Sequence, residues 1–284
     1  MKKRKIHHSV NSKLNSEAFK YDIPTHEDDP KLPGVFVFCG SRGSGKTYAC
    51  IAMVKHFERL EYITRTFLLC PTSTSNTLYS NLTTLEKSDT CEDERYFQLF
   101  LQNILKEVKK DWKAFEGYKK YVKLYSRYRQ GDPFLSLSEM AELEKHGYGP
   151  PKRMEKPSHL LIVDDAQGTD LYTTCRKDLM SHVTIKHRHI PITLCFLMQS
   201  WTGLPRVIRL NATHFMLFKT GDAKQLEQIY SAFGNLVSWD DFLVMYKDAV
   251  AKPHGFLYID TNPKSEEKRF RDGFNNYFLT NKSV

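Results

Sequence analysis

The segment Gly40-Ser41-Arg42-Gly43-Ser44-Gly45-Lys46-Thr47 constrains this chain more than any other. It matches GxxxxGK(S/T) in full. It follows an apolar, β-rich run, GVFVFCG (34–40), and precedes a stretch from Lys46 to about Phe57 that reads as a helix. The spacing has a chemical reason. Gly40, Gly43 and Gly45 let the backbone bend so that consecutive N–H groups converge on phosphate oxygens. The amino end of the helix adds its dipole at the same point. Lys46 supplies a point charge to the β- and γ-phosphates, and Thr47 a hydroxyl ligand for magnesium. All eight residues are expected to cradle phosphate, with ATP and Mg2+ as the cofactors. A glycine-rich turn without a ligand would not explain why Lys-Thr follows at the correct place.

The remaining apolar runs alternate with helical stretches. TRTFLLC (64–70), HLLIVDD (159–165), ITLCFLMQ (192–199), HFMLFK (214–219) and GFLYID (255–260) read as strands. Thr169–His187, 222–233 and 239–249 read as helices. Between the second and third strands the spacing predicts helical pieces at Glu92–Trp112, at Tyr118–Arg129 after a break at Gly117, and at Ser138–His146. This alternation predicts an α/β fold, with a mainly parallel sheet, helices on both faces and ligands at the carboxyl ends of the strands. The organisation expected is an amino-terminal arm over 1–33, one P-loop domain over 34–260 with a helical basic insertion at about 92–150, and a tail over 261–284. The 284 residues lie near the upper size that one core serves.

Two strand ends carry further chemistry. LLIVDD places Asp164 at the tip of a buried strand, where a carboxylate can hold the metal on the side away from Thr47. Asp165 follows, points elsewhere by strand alternation, and can act as base or orienter of a water. Gln199 ends ITLCFLMQ, where an amide can orient water or sense a γ-phosphate. Lys186-His-Arg188-His189 precedes that strand. Arg188 therefore falls at the opposite strand end, out of reach of its own nucleotide but available to a neighbour's as an arginine finger. Arg206 and Arg209 are further candidates of the same kind.

Charge and cysteines narrow the partners. The net charge of +9 favours an acidic partner. Residues 106–129 hold nine Lys or Arg against three acids, with Tyr118, Tyr121, Tyr125 and Tyr128 on one helix face. That stripe either packs inward beneath solvated lysines or belongs to a surface that tracks a DNA backbone. The six cysteines show no CxxC spacing, so no zinc is expected, and the placement of Cys39, Cys70 and Cys195 in apolar runs suits a reducing compartment. No apolar run is long enough for a membrane span, and the basic start MKKRKIHHSV reads as a solvated tail. No NKxD guanine-reading motif occurs, which argues against a GTP switch.

The order of motifs (P-loop, LLIVDD, a basic stretch, an apolar strand ending in Gln, then LPRVIRLNATHFMLF) resembles the FtsK–HerA superfamily of DNA-pumping ATPases over roughly residues 34–235. It looks most like the genome-packaging ATPases of large double-stranded DNA viruses, the poxvirus-like branch with its virophage relatives. The resemblance implies a RecA-like core, a homo-oligomeric ring and double-stranded DNA as the partner. It also implies a capsid vertex or portal component as a further partner. The setting would be the viral assembly site in host cytoplasm, extending to the virion. It maps the family's trans-acting arginine onto Arg188 and its strand-end glutamine onto Gln199. The family's usual Glu after the second motif is Asp165 here. The alternative is a P-loop nucleoside or small-molecule kinase, although neither an arginine-rich lid nor a substrate pocket can be identified.

Overall fold

Successive residues of a strand face opposite sides of a sheet. Runs such as VFVFC and ITLCFLM are apolar at nearly every position, so both faces must be covered. The computed structural model describes residues 21–172, 178–232 and 236–278, and there these runs are buried strands. The first half of the chain forms β1 (Val35–Cys39), α1 (Lys46–Arg59), β2 (Arg65–Leu69), β3 (Leu85–Cys91), α2 (Phe97–Arg129), α3 (Leu137–Lys145) and β4 (His159–Asp164). It continues through α4 (Leu179–Ile185), β5 (Ile192–Met198), α5 (Arg206–Asn211), β6 (His214–Phe218), α6 (Ala223–Ala232) and α7 (Trp239–Ala249). It closes with β7 (Phe256–Asp260), β8 (Phe270–Asp272) and β9 (Asn276–Tyr277).

The nine strands form one sheet in the order β3-β2-β4-β5-β1-β6-β7-β8-β9. All pairings from β3 to β6 are parallel, and β7, β8 and β9 add antiparallel. The expected mainly parallel α/β fold is borne out. One face of the sheet (Val35, Val37, Leu161, Phe196) is covered by α2, α4, α5, α6 and α7. The other (Phe36, Phe38, Leu160, Leu197) is covered by α1 and the turns after β2.

Several elements differ from the sequence expectation. The break at Gly117 is absent, and α2 runs unbroken for 33 residues, about 50 Å. Glycine costs a helix only about 1 kcal/mol, and packing on both sides outweighs it. Phe97, Leu101, Ile104, Val108 and Trp112 hold the first half on the sheet. Beyond Gly117, Tyr121 and Leu124 pack on Leu143 of α3, with Tyr125 and Tyr128 against them. Tyr121, Tyr125 and Tyr128 of the tyrosine stripe thus pack inward, in a satellite cluster separate from the sheet core, and Tyr118 stacks on Phe115. The stretch 169–187 is no single helix: a 3-10 turn at Asp170–Tyr172 and the short α4 are what the described residues form. The Asp178 side chain accepts from the Met180 and Ser181 backbone N–H groups, which starts a new helix there. Residues 173–177, with Cys175, lie outside the described residues. The polar LEKSDTC became edge strand β3, which periodicity does not reveal.

Of the expected arm, residues 1–20 with the KKRK stretch lie outside the described residues. Residues 21–33 lie against the domain. Ile23 bridges to Leu32, and the Asp29 carboxylate accepts from Tyr62 Oη at 2.9 Å. Of the expected tail, 279–284 lie outside the described residues, and β8 and β9 extend the sheet.

Fully buried His214 stacks on Phe36, and its Nδ1 shares a hydrogen bond with Tyr258 Oη at 3.0 Å. Burial pushes its pKa down to about 4, against the raising influence of Asp260, whereas the unfolded value is about 6.5. The folded state therefore resists protonation. This contribution is complete above about pH 6.5 and is lost as pH falls toward 4, by up to about 3 kcal/mol. Urea unfolding at pH 7 and pH 5 should show a smaller acid-side loss in His214→Gln than in wild type, by about 2 kcal/mol. Equal losses would show that His214 is not the titrating group.

Candidate functional site

Parallel register brings the candidate residues together. Cys39 pairs with Met198, and Asp164 with Leu197. The ends of β1, β5 and β4 are therefore level, and Gly40, Gln199 and Asp165 emerge side by side. Strand β5, which Gln199 follows, lies between β1 and β4.

The loop is shaped by close approach and by left-handed backbone. Gly40 N donates to Met198 O at 3.1 Å, which ties the loop to β5. A Cβ on Gly40 would lie 2.5 Å from the Phe218 Cβ, so no larger residue fits beside β6. Gly43 has φ +75° and Gly45 φ +98°, a region that L side chains rarely adopt. Gly45 is the N-cap of α1 and offers no side-chain acceptor, and the first turn holds no acid. Among the described residues no side chain caps the first N–H groups, so the positive helix end suits an anion. Ser44 Oγ is buried in the loop with no hydrogen-bond partner among the described residues. Ser41 and Arg42 are exposed at its rim. Lys46 Nζ donates to Gly40 O and Ser41 O, both at 2.9 Å. Burial lowers the Lys46 pKa, and Asp164 and Asp165 oppose that shift.

Across from the loop, Asp164 is buried and accepts two hydrogen bonds on Oδ2, from Thr47 Oγ1 at 3.2 Å and from Tyr79 Oη at 2.5 Å. Burial raises its pKa, and the Tyr79 and Thr47 hydroxyls pull it back down. Asp165 diverges from Asp164 for a different reason than strand alternation. The strand ends at Asp164, and Asp165 takes a left-handed φ of +53°. A non-glycine residue held there costs on the order of 1 kcal/mol, and such strain clusters at functional sites. The turn aims the Asp165 carboxylate at Gln199, whose Nε2 donates to Oδ1 at 3.2 Å. Both side chains are exposed at the mouth of the site.

Arg188 stands apart. It lies before β5, at the opposite edge of the sheet, and lines a cleft with Asp22, Lys31 and Asp260. The seven residues of β5 separate it from Gln199 by roughly 20 Å. It is exposed there. The Arg209 guanidinium lies 5.4 Å from the Trp201 ring centroid and is partly buried, and Arg206 is exposed at the start of α5.

Tyr79 went unrecognised in the sequence. It lies in a 3-10 turn, Thr77–Asn81, whose entry is set by the Asn76 side chain accepting from Leu78 N. The surrounding Ser/Thr/Asn-rich loop gave no sign that one tyrosine would reach Asp164. Gln167 was also missed. A Cβ on Gly203 would lie 1.8 Å from Gln167 Nε2, so that glycine admits the side chain, which donates to Ser200 O at 3.3 Å. The two loops that carry Asp165 and Gln199 are thereby joined.

The result is a glycine-bent loop and one ammonium across from two carboxylates, with a hydroxyl and an amide beside them. Oxygen donors of this kind suit a hard divalent cation. Among the described residues no three His, Cys, Asp or Glu side chains group as a metal cage.

The fold is mixed α/β of the P-loop type, a mostly parallel nine-stranded sheet flanked by helices. No protein-family model matches the sequence. No curated protein matches it. Among solved structures, the chain is similar to B204, the DNA-packaging ATPase from Sulfolobus turreted icosahedral virus, at 17% identity and a TM-score of 0.49, over 82% of this chain and 95% of that one. It is similar to the genome packaging NTPase B204 from Sulfolobus turreted icosahedral virus 2 in complex with AMPPCP, at 15% identity and a TM-score of 0.48, over 82% and 94%. The cytoplasmic domain of the Thermomonospora curvata type VII secretion ATPase EccC is similar at 15% identity and a TM-score of 0.39, over 70% of this chain and 22% of that one.

Because the Tyr79 hydroxyl is a buried donor to a buried carboxylate, Tyr79→Phe should lower the unfolding free energy by about 1–3 kcal/mol at neutral pH. Urea unfolding measures it. Unchanged stability would mean that Asp164 does not depend on this bond.

Proposed function

We propose that this chain is a magnesium-dependent ATPase that drives double-stranded DNA, packaging a viral genome into a capsid. The observation that carries the ATPase reading is the convergence of the P-loop, Asp164 and the Asp165–Gln199 pair at level strand ends. The loop N–H groups and Lys46 would hold the β- and γ-phosphates. Ser44 Oγ, enclosed without a partner among the described residues, would gain one in a phosphate oxygen.

Thr47 and Asp164 fit a magnesium ion, being a hydroxyl and a carboxylate already within 3.2 Å, the latter fixed by Tyr79. When bound, Mg2+ neutralises charge on the phosphate oxygens. The Asp165 carboxylate accepts a proton from the attacking water, and the Gln199 amide holds that water and carboxylate in line. In a ring of identical chains, Arg188, exposed at the far edge of the sheet, would serve a neighbour's nucleotide.

Two features support the DNA duty. One is the motif order that resembles the FtsK–HerA superfamily. The other is the exposed basic side of α2, where Lys106, Lys109, Lys110, Lys113, Lys119 and Lys123 face solvent. Lysines read a backbone without reading sequence, as a motor on any DNA requires. In this role the ring would dock on a capsid vertex or portal component. It would work at the host cytoplasmic assembly site and be carried into the virion.

ATP hydrolysis by the purified chain should rise several-fold with long duplex DNA at about 50 mM salt and lose that gain by about 200 mM. Replacing Lys119, Lys120 and Lys123 with Glu should remove the stimulation. Hydrolysis indifferent to DNA at every salt concentration would overturn the translocase reading, and a substrate screen would then address the kinase alternative.

A further inference from the structure

The phosphate chain of a nucleotide on this loop has a direction. Asp164, Asp165 and Gln199 lie on the β4–β5 side of the P-loop, so the terminal phosphate lies there and the nucleoside must leave toward β6 and β7. Strand β7 is antiparallel to β6, with Phe256 beside Phe218. The turn that enters β7 therefore lies on the same edge of the sheet as the P-loop. That turn carries His254.

His254 is exposed and has a left-handed φ of +60°. A Cβ built on Gly45 would lie 2.8 Å from the His254 Cβ and 3.1 Å from its Cγ, so the imidazole lies directly against the last glycine of the loop. The turn is held firmly. Gly255 N donates to Lys252 O at 3.0 Å, a Cβ on Gly255 would meet Ala249 O at 2.2 Å, and Lys252 Nζ pairs with Asp272 at 3.2 Å. Strained backbone in a firmly held turn keeps one ring at one place beside the loop.

A second ring stands close by along the chain. Tyr48 lies in the first turn of α1, three residues after Gly45, and is 67% exposed. Side chains about one turn apart share a helix side. Its ring is left largely in water immediately after Thr47, where it is open to a ligand held on the loop.

We infer that His254 and Tyr48 form the stacking platform for the aromatic base of the bound nucleotide, on the side of the P-loop opposite Asp165 and Gln199. The inference rests on the nucleotide-binding reading above. Ring faces attract any base and read no hydrogen-bonding edge. The platform therefore favours nucleotides over bare phosphates while discriminating weakly between ATP and GTP.

The test is equilibrium binding of ATP, GTP and inorganic tripolyphosphate to wild type and to four variants. His254→Asn removes the ring but keeps a residue that tolerates left-handed backbone. Tyr48→Ala removes the other ring, Tyr48→Phe retains it, and Lys46→Ala reports the phosphate cradle. His254→Asn and Tyr48→Ala should each weaken ATP and GTP roughly tenfold while leaving tripolyphosphate unchanged. Tyr48→Phe should bind ATP as wild type does, and Lys46→Ala should lose all three ligands. Wild-type ATP affinity in both ring-deleted variants, or a parallel loss of tripolyphosphate, overturns the platform alone. Failure of the wild type to bind either ATP or tripolyphosphate overturns the nucleotide reading beneath it.

Discussion

The in-register parallel pairing of β4, β5 and β1 is the constraint on which everything else depends. Parallel strands end at a common edge, and here three consecutive neighbours end level, with Asp164 beside Leu197 and Met198 beside Cys39. That alignment sets the glycine loop, the Asp164 carboxylate and the Gln199 amide side by side at one edge of the sheet. A one-residue slip of β4 would turn Asp164 to the other face of the sheet. The long apolar runs serve chemistry only indirectly. By burying both faces of the sheet they hold that register.

Charge at this edge is balanced by contact. Asp164 and Lys46 are both buried, and burial shifts each toward its neutral form. The Asp164 carboxylate is kept usable by two hydroxyl donors, one from the P-loop and one from Tyr79 on the far side. Asp164 opposes the shift on Lys46, whose ammonium donates to two loop carbonyls. Asp165 is handled differently. Left-handed backbone turns it out of the sheet, where it meets Gln199 in a solvent-exposed pair. The buried carboxylate suits a fixed ligand role, and the exposed one suits proton exchange with water.

Much of this was legible in the sequence, for identifiable reasons. Strands buried on both faces read as unbroken apolar runs, so β1, β2, β4, β5, β6 and β7 could be placed within a residue or two. The loop from Gly40 to Thr47 was legible because phosphate binding demands glycines at fixed offsets. What escaped notice was set by tertiary contact. Strand β3 is polar because it lies at an edge. Helix α2 passes through Gly117 because packing on the sheet and on α3 offsets a weak local preference. Tyr79, His254 and Gln167 make their contacts from turns whose paths no periodicity records, although Gly203 and Gly45 mark two of the close approaches. The divergence of Asp164 and Asp165 was anticipated, but its cause is a backbone turn at the strand end.

ATP binding and magnesium-dependent turnover by wild type and Asp165→Asn, measured side by side, test the central claim most directly. Both proteins should bind ATP with similar affinity, and the variant should turn over at least about 100-fold more slowly, as expected for the loss of a general base. Equal turnover in the two proteins, or a wild type that neither binds nor hydrolyses ATP, would contradict the assignment of this edge of the sheet as an ATP-hydrolysing site.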